Sequence, residues 1–222
     1  FDGLSHAPGN LRRRTSDGMG GHVGGRFASR AVVEAISHVE DGLTGGDLMR
    51  AVRDALMGAN RRILTESARN GGATMGATAV VLMLSDGFFV GLWAGDSRLY
   101  LLRDGELNMI SRDHSLVGDM VEAGEITEAE AEAHPQANVI TRAIGVSEHL
   151  ELDKRRGEVE PGDRFLLCSD GLTRYADAGR IAHILAESPV DTAADSLIDL
   201  ALAGGGADNI SAVVVEVSEA PD

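Results

Sequence analysis

The sequence predicts an α+β fold whose sheet is built from consecutive antiparallel strands. Three observations support this: helical spacing of apolar residues early in the chain, a change to short apolar runs joined by turn residues, and a return to helical spacing before a last apolar run. Strand following strand excludes a doubly wound parallel sheet. With 222 residues, the chain suits a single domain, residues 1–222.

Two amphipathic helices are expected first. Residues 24–39 and 47–70 each place their apolar side chains on one helical stripe. Asp47 is the expected N-cap of the second helix, because a short carboxylate side chain can accept a free backbone N–H. Gly71 and Gly72 are expected to end it.

The strands come as two hairpins. Residues 78–84 and 88–94 are joined by a Ser-Asp-Gly turn, and residues 98–102 and 106–110 by an Arg-Asp-Gly turn. These four strands are expected to form one meander.

The rest of the chain alternates polar and apolar segments. Residues 111–149 are polar and acidic, which indicates a surface excursion. Residues 1–16 contain Gly, Pro, Asn and three consecutive arginines, a composition typical of a loop or a short edge strand. The other expected elements are helical patches at 115–123 and 127–133, a buried strand at 163–168, helices at 178–187 and 191–203, and a last strand at 210–217.

Composition limits the partners. With 35 acidic against 20 basic residues and a net charge of −15, neither nucleic acid nor an anionic membrane is an expected partner. No apolar run approaches the roughly 18 residues that a membrane span needs. The single cysteine, Cys168, excludes an internal disulfide and fits a reducing, cytoplasmic location.

Four aspartates share one setting. Asp17, Asp96, Asp170 and Asp208 each lie where an apolar segment meets a Gly or Asn turn. Taken alone, Asp17 in the loop SDGMGGH is more often a helix cap than a ligand. Four such carboxylates can instead converge on one cleft and hold a hard divalent cation. The chain has no Cys cluster and no HxxxH pair, so zinc is not expected.

Seven blocks in fixed order carry a family resemblance. They are DGMGGH at 17–22, GATAVV at 76–81, AGDSRLY at 94–100, RDHSLV at 112–117, ITRAIG at 140–145, LCSDGLT at 167–173 and DNISAVVV at 208–215. In these blocks the sequence resembles the metal-dependent protein serine/threonine phosphatases of type 2C, the PPM family, in their compact bacterial form. The resemblance covers nearly everything after residue 16.

The resemblance implies a four-layer α+β sandwich, with two antiparallel β-sheets packed face to face and helices on both outer sides. It implies hydrolysis of phosphoserine and phosphothreonine on proteins by a metal-bridging hydroxide, with two or three Mn²⁺ or Mg²⁺ ions per chain. Residues 115–139 would be a flap beside the cleft. The implied substrates are those of a bacterial serine/threonine kinase, and the implied state is a monomer.

The resemblance also implies roles for residues. Asp17, as a catalytic residue, would bridge two ions, and the Gly18 carbonyl would bind one of them. Asp170 and Asp208 would complete the first ion's ligands, and Asp96 with Asp170 would hold a looser third ion. Arg12 would be the catalytic, phosphate-binding arginine. His22 or His114 would be a possible proton donor to the departing oxygen.

One stretch departs from the family pattern. Family members carry Asn-Glu-Asp or a close variant after the arginine, and then two strands that lead into the DGMGG loop. Here residues 12–16, RRRTS, run straight into Asp17 and have no apolar face to bury in a central strand. Either residues are missing before Asp17, which we favour because losing a strand pair would leave unpaired backbone, or the chain truly lacks them.

Two rival functions stay open at this point. A pseudophosphatase would keep the fold as a regulatory binding module but lack a complete second metal site. An acidic cation-binding domain would have no phosphate chemistry at all.

Overall fold

The structure is a computed structural model that describes residues 10–19, 21–206 and 208–218. The strands in this part of the chain are β1 (Asn10–Thr15), β2 (Gly18–Met19), β3 (Gly76–Ala77), β4 (Ala79–Ser85), β5 (Phe88–Ala94), β6 (Arg98–Arg103), β7 (Glu106–Met109), β8 (Asp153–Glu158), β9 (Arg164–Cys168) and β10 (Ala212–Glu216). The helices are α1 (Gly21–Ser37), α2 (Gly45–Arg69), α3 (Leu116–Glu122), α4 (Glu128–Glu132), α5 (Asp170–Thr173), α6 (Ala178–Glu187) and α7 (Val190–Ala203).

The strands form two four-stranded antiparallel sheets and one small ribbon. The first sheet has the order β1-β4-β5-β8, the second has the order β10-β9-β6-β7, and β2 pairs with β3. Between the two sheets lies an apolar layer that includes Val80, Leu82, Phe89, Phe165 and Leu167. The sheets therefore pack face to face.

Helices cover both outer faces, which confirms the predicted four-layer sandwich. Strand β4 shows why: Val80 and Leu82 face the other sheet, whereas Val81 and Met83 belong to the core under α1 and α2. Because side chains alternate along a strand, a continuous apolar run buries both of its faces. On the far side, residues of β6 and β9 pack under α5, α6 and α7.

The four hairpin strands do not form the single meander that the sequence predicted. Both turns are present, with Asp86 and Asp104 at φ of 53° and 52°, each followed by a left-handed Gly, as in the favoured two-residue hairpin. However, β4 and β5 lie in the first sheet and β6 and β7 in the second. The chain changes sheets at Gly95-Asp96-Ser97, so it brings Asp96 to the seam between them.

The arginine-rich segment is itself the strand that carries Asp17. Residues of β1 pair with β4 from Asn10 opposite Ser85 to Thr15 opposite Val80, and β1 lies at the edge of its sheet. The short edge strand expected as one alternative for residues 1–16 is therefore present, and the expectation that no strand carries Asp17 was wrong. An edge strand needs little apolar surface, and the Arg14 guanidinium reaches over to donate to the Ser37 hydroxyl of α1.

Two smaller predictions need correction. Thr44 and not Asp47 occupies the N-cap position of α2, without a capping hydrogen bond to its side chain, and Asp47 lies in the first turn. Strand β8, with the sequence DKRRGE, was not expected, because most of its side chains are exposed and carry no alternating pattern. No helix in the described ranges combines the length and apolarity that crossing a membrane requires.

Candidate metal centre

Asp17 lies directly after β1 and is fixed by the start of β4. Its backbone N–H donates to the Thr78 hydroxyl at 3.1 Å, and its carbonyl accepts the Thr78 N–H at 2.8 Å. Ser16 adds a bond from its hydroxyl to the Thr78 carbonyl at 2.7 Å. These hydrogen bonds join the edge strand β1 to the inner strand β4 at the point where Asp17 leaves the sheet.

Thr78 also connects the two sheets. Its hydroxyl lies 2.7 Å from that of Ser97, and both residues are buried. The neighbouring Gly95 has φ of +112°, and a Cβ there would lie 2.5 Å from the Thr78 methyl group. Only glycine fits at this crossing. The seam therefore fixes Asp96, between Gly95 and Ser97, relative to Asp17.

A second pair of loops brings Asp170 and Asp208 together. The fully buried Ser169 donates its hydroxyl to the Asn209 carbonyl at 2.9 Å and accepts the Ser211 N–H at 3.0 Å. The backbones touch so closely that a Cβ on Gly171 would lie 2.3 Å from the Asn209 oxygen. The end of β9 and the entry to β10 therefore form one rigid unit.

Two of these aspartates have one oxygen held locally and a second one left over. The Gly18 N–H donates to Asp17 Oδ1 at 2.8 Å, and the Asn209 N–H donates to Asp208 Oδ1 at 2.8 Å. Each bond orients its carboxylate and leaves Oδ2 as a prospective ligand. The Gly18 backbone itself packs against Gly25 of α1, where a Cβ on Gly18 would lie 2.0 Å from the Gly25 oxygen.

The carboxylates lie close enough to affect one another. Burial raises the pKa of Asp17 to about 6, and the negative charges of Asp170 and Asp208 add to the effect, while the Gly18 N–H opposes it. Burial raises the pKa of Asp96 to about 7, with further contributions from Asp170, Asp113 and Asp17. Four negative groups therefore meet at one end of the sandwich, where a cation would offset their repulsion.

Arg174 is a cation that the sequence reasoning missed. Its Nη2 donates to Asp170 Oδ2 at 2.9 Å and lies 3.8 Å from Asp208 Oδ2. The same nitrogen donates to the Asn138 side chain at 2.9 Å. Asn138 belongs to the predicted flap, in which α3 and α4 are capped by Ser115 and Thr127. Arg174 follows LCSDGLT directly, so its i,i+4 spacing from Asp170 was the available signal.

Arg12 is not brought to these carboxylates by its backbone. It lies opposite Met83 in the middle of β1, five residues before Asp17, or about 16 Å along an extended strand. The side chains of Arg12 and His22 lie outside the described residues. Phosphate binding by Arg12 and proton donation by His22 therefore stay predictions.

His114 is buried among structural partners. Its Nδ1 accepts the Gly95 N–H at 3.2 Å, and its Nε2 lies 3.1 Å from Asp153 Oδ2. Burial is the main cause of its lowered pKa, so the ring stays neutral. These contacts hold the Gly95 crossing in place from the side opposite Thr78. Proton donation by His114 stays a prediction.

Arg98 is paired with Asp113, a carboxylate outside the four aspartates of the candidate centre. Its guanidinium forms a fork with Asp113, with Nε 3.0 Å from Oδ1 and Nη2 2.6 Å from Oδ2. The bonds to Asp113 and its charge raise the pKa of Arg98 against the effect of burial. This pair anchors the RDHSLV block against β6, and no ion pair to Asp96 is found among the side chains that the structure describes.

The chemistry of the donor set fits divalent cations. Asp17, Asp96, Asp170, Asp208 and the Gly18 carbonyl offer only oxygen, which Mg²⁺ and Mn²⁺ prefer. Within the described residues, no three acidic, His or Cys side chains already converge at coordination distance, and Arg174 bonds to Asp170 at 2.9 Å while its contact to Asp208 is longer, at 3.8 Å. The placement of these oxygen donors at one end of the sandwich favours a cation here, and the raised pKa of Asp17 agrees with it.

A two-sheet sandwich with carboxylates at one end of its seam defines a candidate metal-dependent hydrolase. The family model described as Protein phosphatase 2C matches residues 11–199. The chain belongs to the protein phosphatase 2C family, which confirms the resemblance seen in the sequence.

Three comparisons illustrate the similarity, two with PstP and one with PppA. Serine/threonine protein phosphatase PstP of Mycobacterium tuberculosis is 40% identical over 203 residues, which cover 91% of this chain and 39% of PstP. The structure of PppA, a regulatory component of T6SS in Pseudomonas aeruginosa, aligns with a TM-score of 0.85 at 40% identity over 91% of this chain and 84% of PppA. The PstP catalytic domain in complex with two manganese ions aligns with a TM-score of 0.84 at 35% identity over 98% of this chain and 95% of that domain.

The chain thus spans well under half of the curated PstP sequence but nearly all of the PstP catalytic domain. The matching region is the catalytic unit of that relative.

Proposed function

We propose that this chain is a metal-dependent protein phosphatase that hydrolyses phosphoserine and phosphothreonine. It would use two divalent cations, Mn²⁺ or Mg²⁺, held by Asp17, the Gly18 carbonyl, Asp170 and Asp208. The family membership and the manganese complex of the PstP catalytic domain support this proposal.

One observation carries the proposal. Thr78 fixes the loop of Asp17 to the seam between the sheets, and Ser169 fixes the loops of Asp170 and Asp208 to each other, so carboxylates more than 150 residues apart in sequence lie at one end of the sandwich. A fold gains no stability from carboxylates that repel one another, so their convergence indicates a bound cation.

In this proposal, the residues of the chain hold the metal ions and orient the carboxylate oxygens that bind them. Asp17 and Asp208 each have one oxygen fixed by a backbone N–H, so the other keeps a constant direction. Thr78 and Ser169 fix the four loops relative to one another without carrying charge. Divalent ions supply, when bound, a lowered pKa for water and compensation of charge on the phosphoryl group. The segment 115–139 would cover the substrate as a flap.

The substrates, the oligomeric state and the location are proposed from the family membership and the composition of the chain. We propose phosphoproteins modified by a bacterial serine/threonine kinase as substrates, and a monomeric catalytic domain in the cytoplasm. The net charge of −15 disfavours nucleic acid and anionic membrane surfaces, and the buried free thiol of Cys168 is compatible with a reducing compartment.

Hydrolysis of p-nitrophenyl phosphate and of a phosphothreonine peptide with Mn²⁺ tests the function. We expect Asp17→Asn and Asp208→Asn each to lower kcat at least about 100-fold, because each removes a charged ligand. Asp54→Asn, an exposed carboxylate on α2, is the matched control and should keep full activity. Mn²⁺ binding without turnover by the unaltered chain would instead establish the pseudophosphatase.

A further inference from the structure

The position of Arg174 is unusual for a cation beside prospective metal ligands. It caps the C-terminus of the one-turn helix α5, and its backbone N–H donates to the Asp170 carbonyl at 2.9 Å. Its side chain then returns to the carboxylate of the same residue, with Nη2 2.9 Å from Oδ2. Backbone and side chain together keep the guanidinium beside Asp170.

The flap holds the guanidinium from the other side. Nη2 also donates to Asn138 Oδ1 at 2.9 Å, and Asn138 lies just before Val139, whose carbonyl accepts the Leu116 N–H at 2.8 Å. Arg174 thus connects α5 to the base of the flap. The contact to Asp208 is longer, at 3.8 Å, so the guanidinium engages Asp170 more strongly than Asp208.

Asp96 faces the same carboxylate. Arg98 of β6 lies opposite Cys168 of β9 in an antiparallel pair. Asp96 precedes Arg98 by two residues and Asp170 follows Cys168 by two, so both acids leave the same end of neighbouring strands. An ion bound between Asp96 and Asp170 would need an oxygen of Asp170 that an ion shared with Asp17 and Asp208 leaves over. The Oδ2 atom of Asp170 already accepts a bond from Arg174.

Two cations would therefore compete for one oxygen. A guanidinium keeps its charge at every pH that a folded protein tolerates, and it repels a divalent ion placed within a few ångströms. Unlike an ion, it cannot dissociate into solvent, because Arg174 is covalently attached to the chain directly after α5.

We propose that Arg174 is a positioning residue that fills, as a fixed positive charge, the place between Asp170 and the flap residue Asn138 where a third divalent ion would otherwise bind. The centre then takes two exchangeable ions and not three. This inference rests on the proposed metal-dependent function, and it narrows that function to a two-ion form.

Counting bound Mn²⁺ by calorimetric titration and by equilibrium dialysis tests the inference without any assay of activity. We expect two ions for the unaltered chain and three for Arg174→Asp, which replaces the cation with a further oxygen ligand. Arg174→Lys keeps the charge and should stay at two. Arg53→Asp, an exposed arginine on α2, makes the same charge change far from the site and should also stay at two.

The outcomes separate this inference from the function that it rests on. Three ions in the unaltered chain would overturn the role of Arg174 and leave the phosphatase in place. Two ions in a folded Arg174→Asp variant would do the same. No Mn²⁺ binding by the unaltered chain would overturn both. Circular dichroism checks folding, and if Arg174→Asp is unfolded, Arg174→Gln replaces it and is expected to admit a third ion at higher Mn²⁺ concentration.

Discussion

At the scale of single residues, uncharged hydroxyl groups and not the aspartates hold the centre together. Thr78 bonds to Asp17 on one side and to Ser97 on the other. Ser169 does the same between the loops of Asp170 and Asp208. The aspartates were identifiable from sequence by their shared setting, whereas a threonine that opens a strand has no such mark.

Replacing Thr78 with valine tests this role. The change keeps the shape but leaves the Asp17 N–H and the Ser97 hydroxyl without their partner, so we expect the free energy of unfolding to fall by about 1–3 kcal/mol. Urea denaturation of the metal-free protein measures it. Thr65→Val removes a hydroxyl that bonds only to Arg61 within α2 and should change stability by less than about 0.5 kcal/mol. Equal losses in both variants would contradict the role.

The raised pKa of Asp96 predicts how the stability of the metal-free protein depends on pH. The pKa of Asp96 in the fold, about 7, lies above its ordinary value of 3.8, so between these values the folded state binds a proton that the unfolded state has lost. The stability of the metal-free protein therefore falls as pH rises through this window. Asp96→Asn cannot lose that proton. We expect the variant to gain in Tm over the unaltered chain from about pH 5 to about pH 8 in EDTA. A constant difference across this range would refute the assignment.

At the scale of elements, close contacts between backbones fix the positions of the loops that carry Asp170 and Asp208. We expect Gly171→Ala to destabilise the protein and lower Mn²⁺ affinity, because its Cβ would lie 2.3 Å from the Asn209 carbonyl oxygen. Gly46→Ala is the matched control: it lies in α2, with no atom within 4 Å of the new Cβ, and should stabilise by about 0.5–1 kcal/mol. Thermal melts and Mn²⁺ titration measure both. An unchanged Mn²⁺ affinity in Gly171→Ala would show that the loops tolerate separation.

Elements with a clear apolar pattern were predictable, including the edge strands β7 and β10, whereas the arginine-rich strands β1 and β8 carry little apolar signal. The apolar runs of β4 and β5 are nearly continuous because both faces are buried, whereas β1 and β8 are rich in arginine and lie at the edges of their sheet. The change of sheet at Gly95 was also hidden, because alternation shows that a strand is buried but not which sheet it joins. The aspartates could be found since loop chemistry is local, but the contact from Arg174 to Asn138 depends on how the flap folds back.

At the scale of the whole molecule, the layer between the sheets supports the centre. Phe165 is fully buried there, with its ring edge-on to Phe89 at 5.1 Å between centroids. We expect Phe165→Ala to cost about 3–5 kcal/mol and to loosen Asp17 and Asp170 together, since they lie on opposite sheets. Phe88→Ala, whose ring is partly exposed under Arg156, should cost much less. Denaturant unfolding compares the two, and similar costs would show that the inter-sheet layer is not the main support.

The neutral hydroxyl connections have a consequence for how the protein survives the loss of its ions. The hydrogen bond between Thr78 and Ser97, and that from Ser169 to Asn209, involve no charged group. We therefore expect a chelator to remove the metal without unfolding the protein. For the phosphatase proposed above, EDTA should then empty the metal sites reversibly, and adding Mn²⁺ back should restore activity without a refolding step.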